Sequence, residues 1–288
     1  MPLNRSFKLN WVVLICLYAV DANAQDVGSI DGASNDAQKT LVQQLGDPSC
    51  YERELAEQEL MSRGLVAESV LVDALKNSDP EIRWRARRIL VGVREEAFNA
   101  RLTAFVEDIE RDRKLTLPGW RKFDGLVGDT RQSREAFAAM TRYEAALLSA
   151  YAKRSPDLAA AYAARAEWLK TQADLRPSDS DCVPWQSIAA LLFIGSDKDA
   201  ASYAHGAGRM YSLLCESATT HSINKHAQTS AIRTLLENWV AKSPSYYGMK
   251  VALKYDLRET GLQQAKTLLE GKTTSSSYLH YAVITVGR

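Results

Sequence analysis

Residues 79–90 read DPEIRWRARRIL, and the pattern of this stretch decides the fold. Asp79 can accept hydrogen bonds from the free N–H groups of a first helical turn, and Pro80 suits the first helical position because it has no N–H to lose. The apolar residues that follow share one face of a helix: they are Ile82, Ala86, Ile89, Leu90 and Val93. The stretch therefore predicts an amphipathic helix that begins at this Asp-Pro pair.

An earlier copy of the pattern, LGDPSCYERELAEQEL, occupies residues 45–60. Ala56 recurs as Ala86 at an offset of 30, whereas Asp47 recurs as Asp79 at an offset of 32, which predicts two extra residues after the first turn. The apolar residues between the two copies share a further helix face: Ala67, Val70, Leu71, Ala74 and Leu75. Each repeat is therefore predicted to be a pair of helices, antiparallel because the connections are short.

The motif D-P-x-I-R-x-x-A-x-x-x-L, from Asp79 to Leu90, resembles the HEAT repeat and is similar to the HEAT-like repeats of the phycobilin-lyase type. The resemblance places HEAT-like repeats at residues 37–96, although the first copy has Glu52 where the family prefers an aliphatic residue. It implies an all-α fold of the α-α superhelix type, a HEAT-like solenoid of antiparallel helix pairs. It also implies structural roles for the Asp and Arg of the motif. A repeat match indicates a fold and not a function.

The rest of the chain is also helical in its pattern, because apolar residues recur at spacings of three and four and alternating strand patterns are almost absent. We expect a helical middle region at 97–176 and a C-terminal helical repeat region at 177–288. Helices of this last region are predicted at 185–194, 197–217, 223–242, 244–259, 261–270 and 277–286. The chain stops where HEAT-like arrays usually have another helix, which leaves two alternatives open: a truncated chain, or an atypical last helix that caps the array.

The N-terminus has the three-part layout of a secretory signal peptide. Arg5 and Lys8 precede an apolar run at 11–20, and a small-x-small triplet ends at Ala24. We expect cleavage near Ala24, which removes residues 1–24 and exports the chain to the periplasm or the extracellular space. The apolar run is about half of the roughly 20 residues that a membrane-spanning helix needs, so an N-terminal membrane anchor is the alternative and not the first choice.

Charge balance argues against a nucleic-acid partner. Removal of the signal peptide takes Arg5, Lys8 and Asp21 from the 36 basic and 35 acidic residues, which leaves the mature chain formally neutral. Proteins that bind nucleic acid through phosphates normally show a basic excess, because counterion release supplies most of that affinity.

The residues after the predicted signal peptide, 25–36, are polar and rich in Gly and Ser, so we expect a flexible leader there.

The cysteines define no disulfide framework. Cleavage would leave Cys50, Cys182 and Cys215, an odd number spread widely along the chain. Cys182 and Cys215 could form one bridge. The alternative is that both are buried as small apolar residues, which is common for cysteines on packed helices.

The RWRARR segment supplies three candidate binding residues, namely Trp84, Arg85 and Arg88. The two arginines lie one turn apart on the predicted helix and can contact the indole ring in a cation–π arrangement. Glu81 can pair with Arg85 at a spacing of one turn. Two interpretations stay open, a structural flank of the helix or a patch that binds a partner.

Trp120 is the fourth candidate. It follows a Leu-Pro-Gly turn in LPGWRKF, at residues 117–123, so the ring stands at a helix start next to a loop. Loops often carry recognition residues, which makes Trp120 a candidate binding residue. The alternative is a packing role, in which the ring fills the junction between two helix pairs.

No catalytic or cofactor motif is visible. The sequence has no G-x-S-x-G, no Walker loop and no H-E-x-x-H, and His221 and His226 are five residues apart, a spacing that does not place two ligands on one helix face. We therefore expect no catalytic residue, metal or cofactor. The leading hypothesis is an exported scaffold for an unknown protein partner. The alternatives are an enzyme or enzyme accessory of the HEAT-like lyase type that binds a small molecule, and the recognition part of a longer chain.

Overall fold

The computed structural model describes residues 32–108, 115–197, 204–226, 230–242 and 245–270. Within them the chain forms thirteen α-helices and no strand, so the prediction of an all-α protein is confirmed. Helices α1 to α4 are Gly32–Gln44, Cys50–Ser62, Glu68–Ala74 and Pro80–Glu107. Helices α5 to α9 are Trp120–Val127, Arg131–Ala152, Leu158–Leu175, Trp185–Gly195 and Ala204–Cys215. Helices α10 to α13 are Ser217–His226, Ser230–Ala241, Tyr246–Lys254 and Arg258–Glu270.

The chain divides into two compact units, residues 1–104 and residues 105–288, here called unit 1 and unit 2. Unit 1 contains α1, α2, α3 and most of α4. Helix α4 is continuous over 28 residues. The helix therefore passes without interruption through residue 96, where the repeat region was predicted to give way to the middle region, and unit 1 extends to residue 104.

The core of unit 1 is formed by the helix faces that the sequence predicts. All five apolar side chains of the α4 face are buried, from Ile82 to Val93. The face between the two copies is buried as well, from Ala67 to Ala74, whereas Leu75 is only partly covered. Burial of these apolar side chains is the main favourable contribution to the stability of the unit.

Unit 1 contains two structurally equivalent helix pairs at a constant offset of 30 residues. Helix α1 ends at Gln44 and α3 ends at Ala74, while α2 begins at Cys50 and α4 begins at Pro80. The hydrogen bonds of the connecting turns recur at the same offset. The amide of Asp47 donates to the carbonyl of residue 44 over 3.1 Å, and the amide of residue 77 donates to the carbonyl of residue 74 over 3.1 Å.

The offset of 30 corrects the predicted insertion of two residues in the first copy. Asp47 accepts a hydrogen bond from the amide of Ser49 over 2.7 Å, and Asn77 accepts the equivalent bond from the amide of Asp79 over 2.9 Å. Asp47 therefore corresponds to Asn77 and not to Asp79. The two Asp-Pro pairs therefore do not occupy equivalent positions in the two copies. Asp79 instead accepts a hydrogen bond from the amide of Glu81 inside the first turn of α4, over 2.8 Å.

An arginine fixes the turn of each copy. Arg53 donates to the carbonyls of residues 47–48 over 2.7 and 3.0 Å, and Arg83 donates to the carbonyls of residues 77–78 over 2.7 and 2.7 Å. These bonds hold each turn against the first turns of the helix that follows it. Arg83 is the arginine of the D-P-x-I-R motif, so its side chain has a structural role within its own repeat.

Helix α8 forms the centre of unit 2. Its residues from Ser187 to Ile194 are all buried, as expected for a helix that is enclosed on every side. Helices α6 and α11 both pack against it. Helix α6 departs from helical geometry at Glu144, where φ is −129° and ψ is 35°, and it is kinked at that residue.

At the N-terminal end, α1 begins at Gly32, inside the segment 25–36 that was predicted to be a flexible leader. Asp36 supports these turns, because its carboxylate accepts a hydrogen bond from Lys39 one turn later, over 3.2 Å. The predicted signal peptide at 1–24 lies outside the described residues. No helix within the described ranges has both the length and the apolar character that a membrane crossing requires.

Towards the C-terminus, the described parts of the predicted helix at 223–242 lie in α10, which the structure describes to His226, and in α11, which it describes from Ser230. The other described helices of this region agree with the predicted positions to within a few residues at most ends. The predicted helix at 277–286 lies outside the described residues.

Candidate interaction surface

Trp84 stands on the surface of unit 1 and is 54% exposed. The guanidinium carbons of Arg88 and Arg85 lie 4.7 and 5.9 Å from the centre of its indole ring. Both distances are within the range of a cation–π contact. The arrangement that the sequence predicts for these three candidate residues is therefore present, and we call it the Trp84 surface.

Glu57 of α2 holds both arginines of the Trp84 surface from the neighbouring repeat. Its carboxylate accepts a hydrogen bond from Arg85 over 2.9 Å and is also paired with Arg88. Glu81, one turn before Arg85 on α4, accepts a second bond from Arg85 over 2.6 Å. Glu81 is predictable from its spacing of one turn from Arg85, whereas Glu57 is not, because it is 28 residues from Arg85 along the chain.

Arg85 and Arg88 differ in their access to solvent. Arg85 is only 8% exposed, so it is not solvated, and its pair with Glu57 of the neighbouring repeat fits the structural interpretation. Desolvation alone would lower the pKa of Arg85, but the hydrogen bonds and charges of Glu81 and Glu57 outweigh it and raise that pKa. Arg85 is thus a permanently charged link between α2 and α4. Arg88 is about half exposed and is the arginine that a partner can reach.

Large apolar side chains on the surface are concentrated in unit 1. Six of the ten exposed large hydrophobic residues among the described ones lie there. They are Tyr51, Leu55, Met61, Leu65, Val66 and Trp84. Unit 1 is the smaller unit, so its surface is enriched in the side chains that protein interfaces bury.

Trp120 lies in the core of unit 2 and is 3% exposed. Its ring packs edge-on against Phe105 and Phe137, with ring centres 4.9 and 5.4 Å apart. Gly119 precedes it with φ 87°, a left-handed conformation that glycine adopts without strain and that starts α5. The assignment of Trp120 as a binding residue is therefore corrected, because a buried ring offers no surface to a partner.

A polar cluster that no sequence pattern indicates lies inside unit 2. Arg165 of α7 donates to Glu144 over 2.8 Å and to the hydroxyl of Ser187 over 3.1 Å, and its guanidinium lies 4.5 Å from the ring centre of Trp168. Burial raises the pKa of Glu144, while the charge of Arg165 and the hydrogen bonds from Ser187 and Arg165 oppose this rise. The cluster cross-links α6, α7 and α8 at the kink of α6.

The cysteine side chains form no site in the described part of the chain. Cys50, Cys182 and Cys215 are free thiols in the structure, so the bridge between Cys182 and Cys215 is not formed. Burial raises the pKa of the Cys182 thiol. Within the part of the chain that the structure describes, no group of three or more His, Cys, Asp or Glu residues is arranged to hold a metal ion.

Comparisons of the chain with family models, with curated proteins and with solved structures give no match. The resemblance of residues 79–90 to the HEAT repeat therefore stays a prediction. The repetition of helix pairs in unit 1 is independent of that resemblance, because the hydrogen bonds of the turns recur at a constant offset of 30 residues.

Proposed function

We propose that this chain is a protein-binding scaffold without catalytic activity of its own, and that it takes a protein partner on the Trp84 surface of unit 1. The observation that carries the proposal is a half-exposed tryptophan whose ring is flanked by arginines. Tryptophan and arginine are enriched among the residues that dominate the binding energy of protein interfaces. Six of the ten exposed large apolar side chains among the described residues lie in the same unit, and they supply further area for contact with proteins.

The Trp84 surface is ordered before any partner arrives. Glu57 holds Arg85 and Arg88, and these two side chains in turn hold the indole ring. Side chains that are already fixed lose little conformational entropy on binding, and each mobile side chain that must be immobilised costs about 0.5–1.5 kcal/mol. A preorganised aromatic and arginine surface therefore suits recognition of another protein.

The charges of this surface favour a protein partner over a nucleic acid. Glu57 and Glu81 already neutralise Arg85 and Arg88, so little uncompensated positive charge is left for phosphates. Phosphate-driven binding depends on cations that release counterions from the nucleic acid. A polypeptide needs less charge, since apolar contact with the ring of Trp84 and the reachable guanidinium of Arg88 suffice for recognition.

The proposal extends to the architecture and the location of the scaffold. The equivalent helix pairs of unit 1 support a HEAT-like array, a type of fold that commonly displays long binding surfaces. The three-part pattern of residues 1–24 supports export to the periplasm or the extracellular space. A partner would then be an envelope or extracellular protein.

Affinity capture with matched tryptophan variants tests the proposal. Cells that express the chain would carry the wild type, Trp84→Ser or Trp168→Ser, and the captured proteins would be quantified by mass spectrometry. Trp168 is an exposed tryptophan of unit 2 beside an arginine, so it controls for the loss of any surface indole. We expect at least one protein to be enriched with the wild type and Trp168→Ser and lost with Trp84→Ser. If every captured protein tolerates Trp84→Ser, the proposal is wrong.

A further inference from the structure

One side of α2 carries an exposed apolar pair. Tyr51 is 69% exposed and Leu55 is 50% exposed. They are four residues apart, so their side chains are neighbours on one face of the helix. The pair is not part of the Trp84 surface, because Glu57 and not these residues contacts the arginines of α4.

The 30-residue register shows what this side of the helix normally contacts. The equivalents of Tyr51 and Leu55 in the second copy are Glu81 and Arg85 of α4. Both side chains face α2, the equivalent helix of the first copy, since Arg85 pairs with Glu57 and Glu81 lies 3.8 Å from the guanidinium of Arg53. In the second copy this side of α4 packs against α2, whereas in the first copy the equivalent side of α2 is exposed.

Acidic residues border the exposed pair. Glu52 and Glu59 stand where the second copy has Ile82 and Ile89, which are buried, whereas Glu59 is exposed and Glu52 is partly exposed. The whole of α2 has four glutamates and one arginine. Glu57 is engaged by α4 and Glu59 is paired with Arg63 over 3.0 Å, so the free side of α2 presents apolar side chains beside negative charge that is compensated only in part.

We propose that this free side of α2, formed by Tyr51, Leu55, Glu52 and Glu59, docks a basic amphipathic helix of a partner protein. The occupant is a helix because the equivalent side of α4 receives one. Its apolar stripe would cover Tyr51 and Leu55, and lysine or arginine residues beside the stripe would meet the glutamates. The inference rests on the proposed scaffold function and adds a second contact for the partner, distinct from the Trp84 surface.

Two synthetic helical peptides test the inference on the full chain. Both carry the same leucine stripe, one flanked by lysines and the other by glutamates, and their binding is followed by fluorescence anisotropy at low salt. We expect the lysine peptide to bind at least ten-fold more tightly than the glutamate peptide, and its affinity to fall as salt is raised, because exposed charges are screened.

Matched variants locate the binding site. The double change Tyr51→Ser and Leu55→Ser should weaken the lysine peptide at least ten-fold. Leu175→Ser removes an equally exposed apolar residue from unit 2 and should leave binding unchanged. Trp84→Ser should also leave it unchanged, since the peptide occupies the other surface.

Any one of the following results would overturn the inference. The two peptides could bind equally or not at all, or the double change could have no effect on the lysine peptide. Loss of peptide binding in Trp84→Ser would place the peptide on the Trp84 surface, so the inference would fail while the proposed function stood. Sedimentation of the chain tests the last outcome. If the wild type forms a dimer that the double change Tyr51→Ser and Leu55→Ser abolishes, a second copy of the chain, and not a partner helix, occupies this side of α2.

Discussion

Glu57 of unit 1 and Glu144 of unit 2 are each held by an arginine that lies against a tryptophan, but they differ in solvent access. The side chain of Glu57 is 12% exposed and that of Glu144 is 2% exposed. Glu57 shares its charge with a half-exposed arginine, Arg88, whereas Glu144 faces Arg165 in the interior. The same residue types thus serve two purposes, since one carboxylate orders an exposed surface and the other joins buried helices.

The largest effect is expected for Glu144→Ala. The change leaves the guanidinium of Arg165 without its carboxylate in the interior, and breaking a buried ion pair in this way costs about 3–5 kcal/mol. Urea denaturation of the wild type and the variant measures the loss. Glu144→Gln is the matched control, because an amide still offers an oxygen to Arg165, and it should cost less. A loss below about 1 kcal/mol in Glu144→Ala would show that the pair is not a structural cross-link.

Glu57→Ala should have a smaller effect, of about 2 kcal/mol. Hydrogen bonds to charged groups contribute about 1.5–3 kcal/mol. Arg88 can turn to solvent and Arg85 keeps Glu81, so the remaining charges are not stranded. The exposed Glu54 on the same helix provides the control, since Glu54→Ala should change the free energy of unfolding by no more than about 0.5 kcal/mol. Equal costs for the two variants would contradict the role of Glu57.

The smallest effect is a pH dependence of stability that arises from Glu144. Burial raises the pKa of Glu144 above its ordinary value of 4.5, so the folded protein holds this proton to a higher pH than the unfolded chain does. The stability of the wild type relative to Glu144→Gln should therefore fall as pH rises from 4.5 through the raised pKa. Urea denaturation of both proteins across this range measures the difference. A relative stability that increases with pH would mean that the pKa is lowered instead.

The sequence predicts the packed faces of unit 1 well, because apolar periodicity reflects burial directly. It fails on the register of the turns. The Asp-Pro pairs look equivalent, yet Asn77 makes the hydrogen bond that Asp47 makes in the first copy. Asparagine and aspartate both accept such a bond, so the hydrogen bond of the turn is preserved although the Asp-Pro pair lies two residues later in the second copy. The unexpected Glu52 is explained by the same register, since its side chain is partly exposed where Ile82 is buried.

The partners of buried charges could not be predicted from the sequence. Glu57 meets arginines that are 28 and 31 residues away, and Glu144 meets Arg165 across two helices. Helical periodicity shows which face a residue occupies but not which other helix lies opposite. Trp120 illustrates the same limit, because its position after a Leu-Pro-Gly turn left a recognition role and a packing role both open, and only tertiary packing places the ring in the core.

Photo-cross-linking at position 84 tests the central claim most directly. A benzoyl-phenylalanine would replace Trp84 in one protein and Trp168 in another, and both would be irradiated in cells that express them. Both positions are exposed, so each probe reacts with whatever protein lies against it. We predict a discrete cross-linked protein from position 84 and none from position 168. No cross-link from position 84, or the same products from both positions, would contradict recognition through the Trp84 surface.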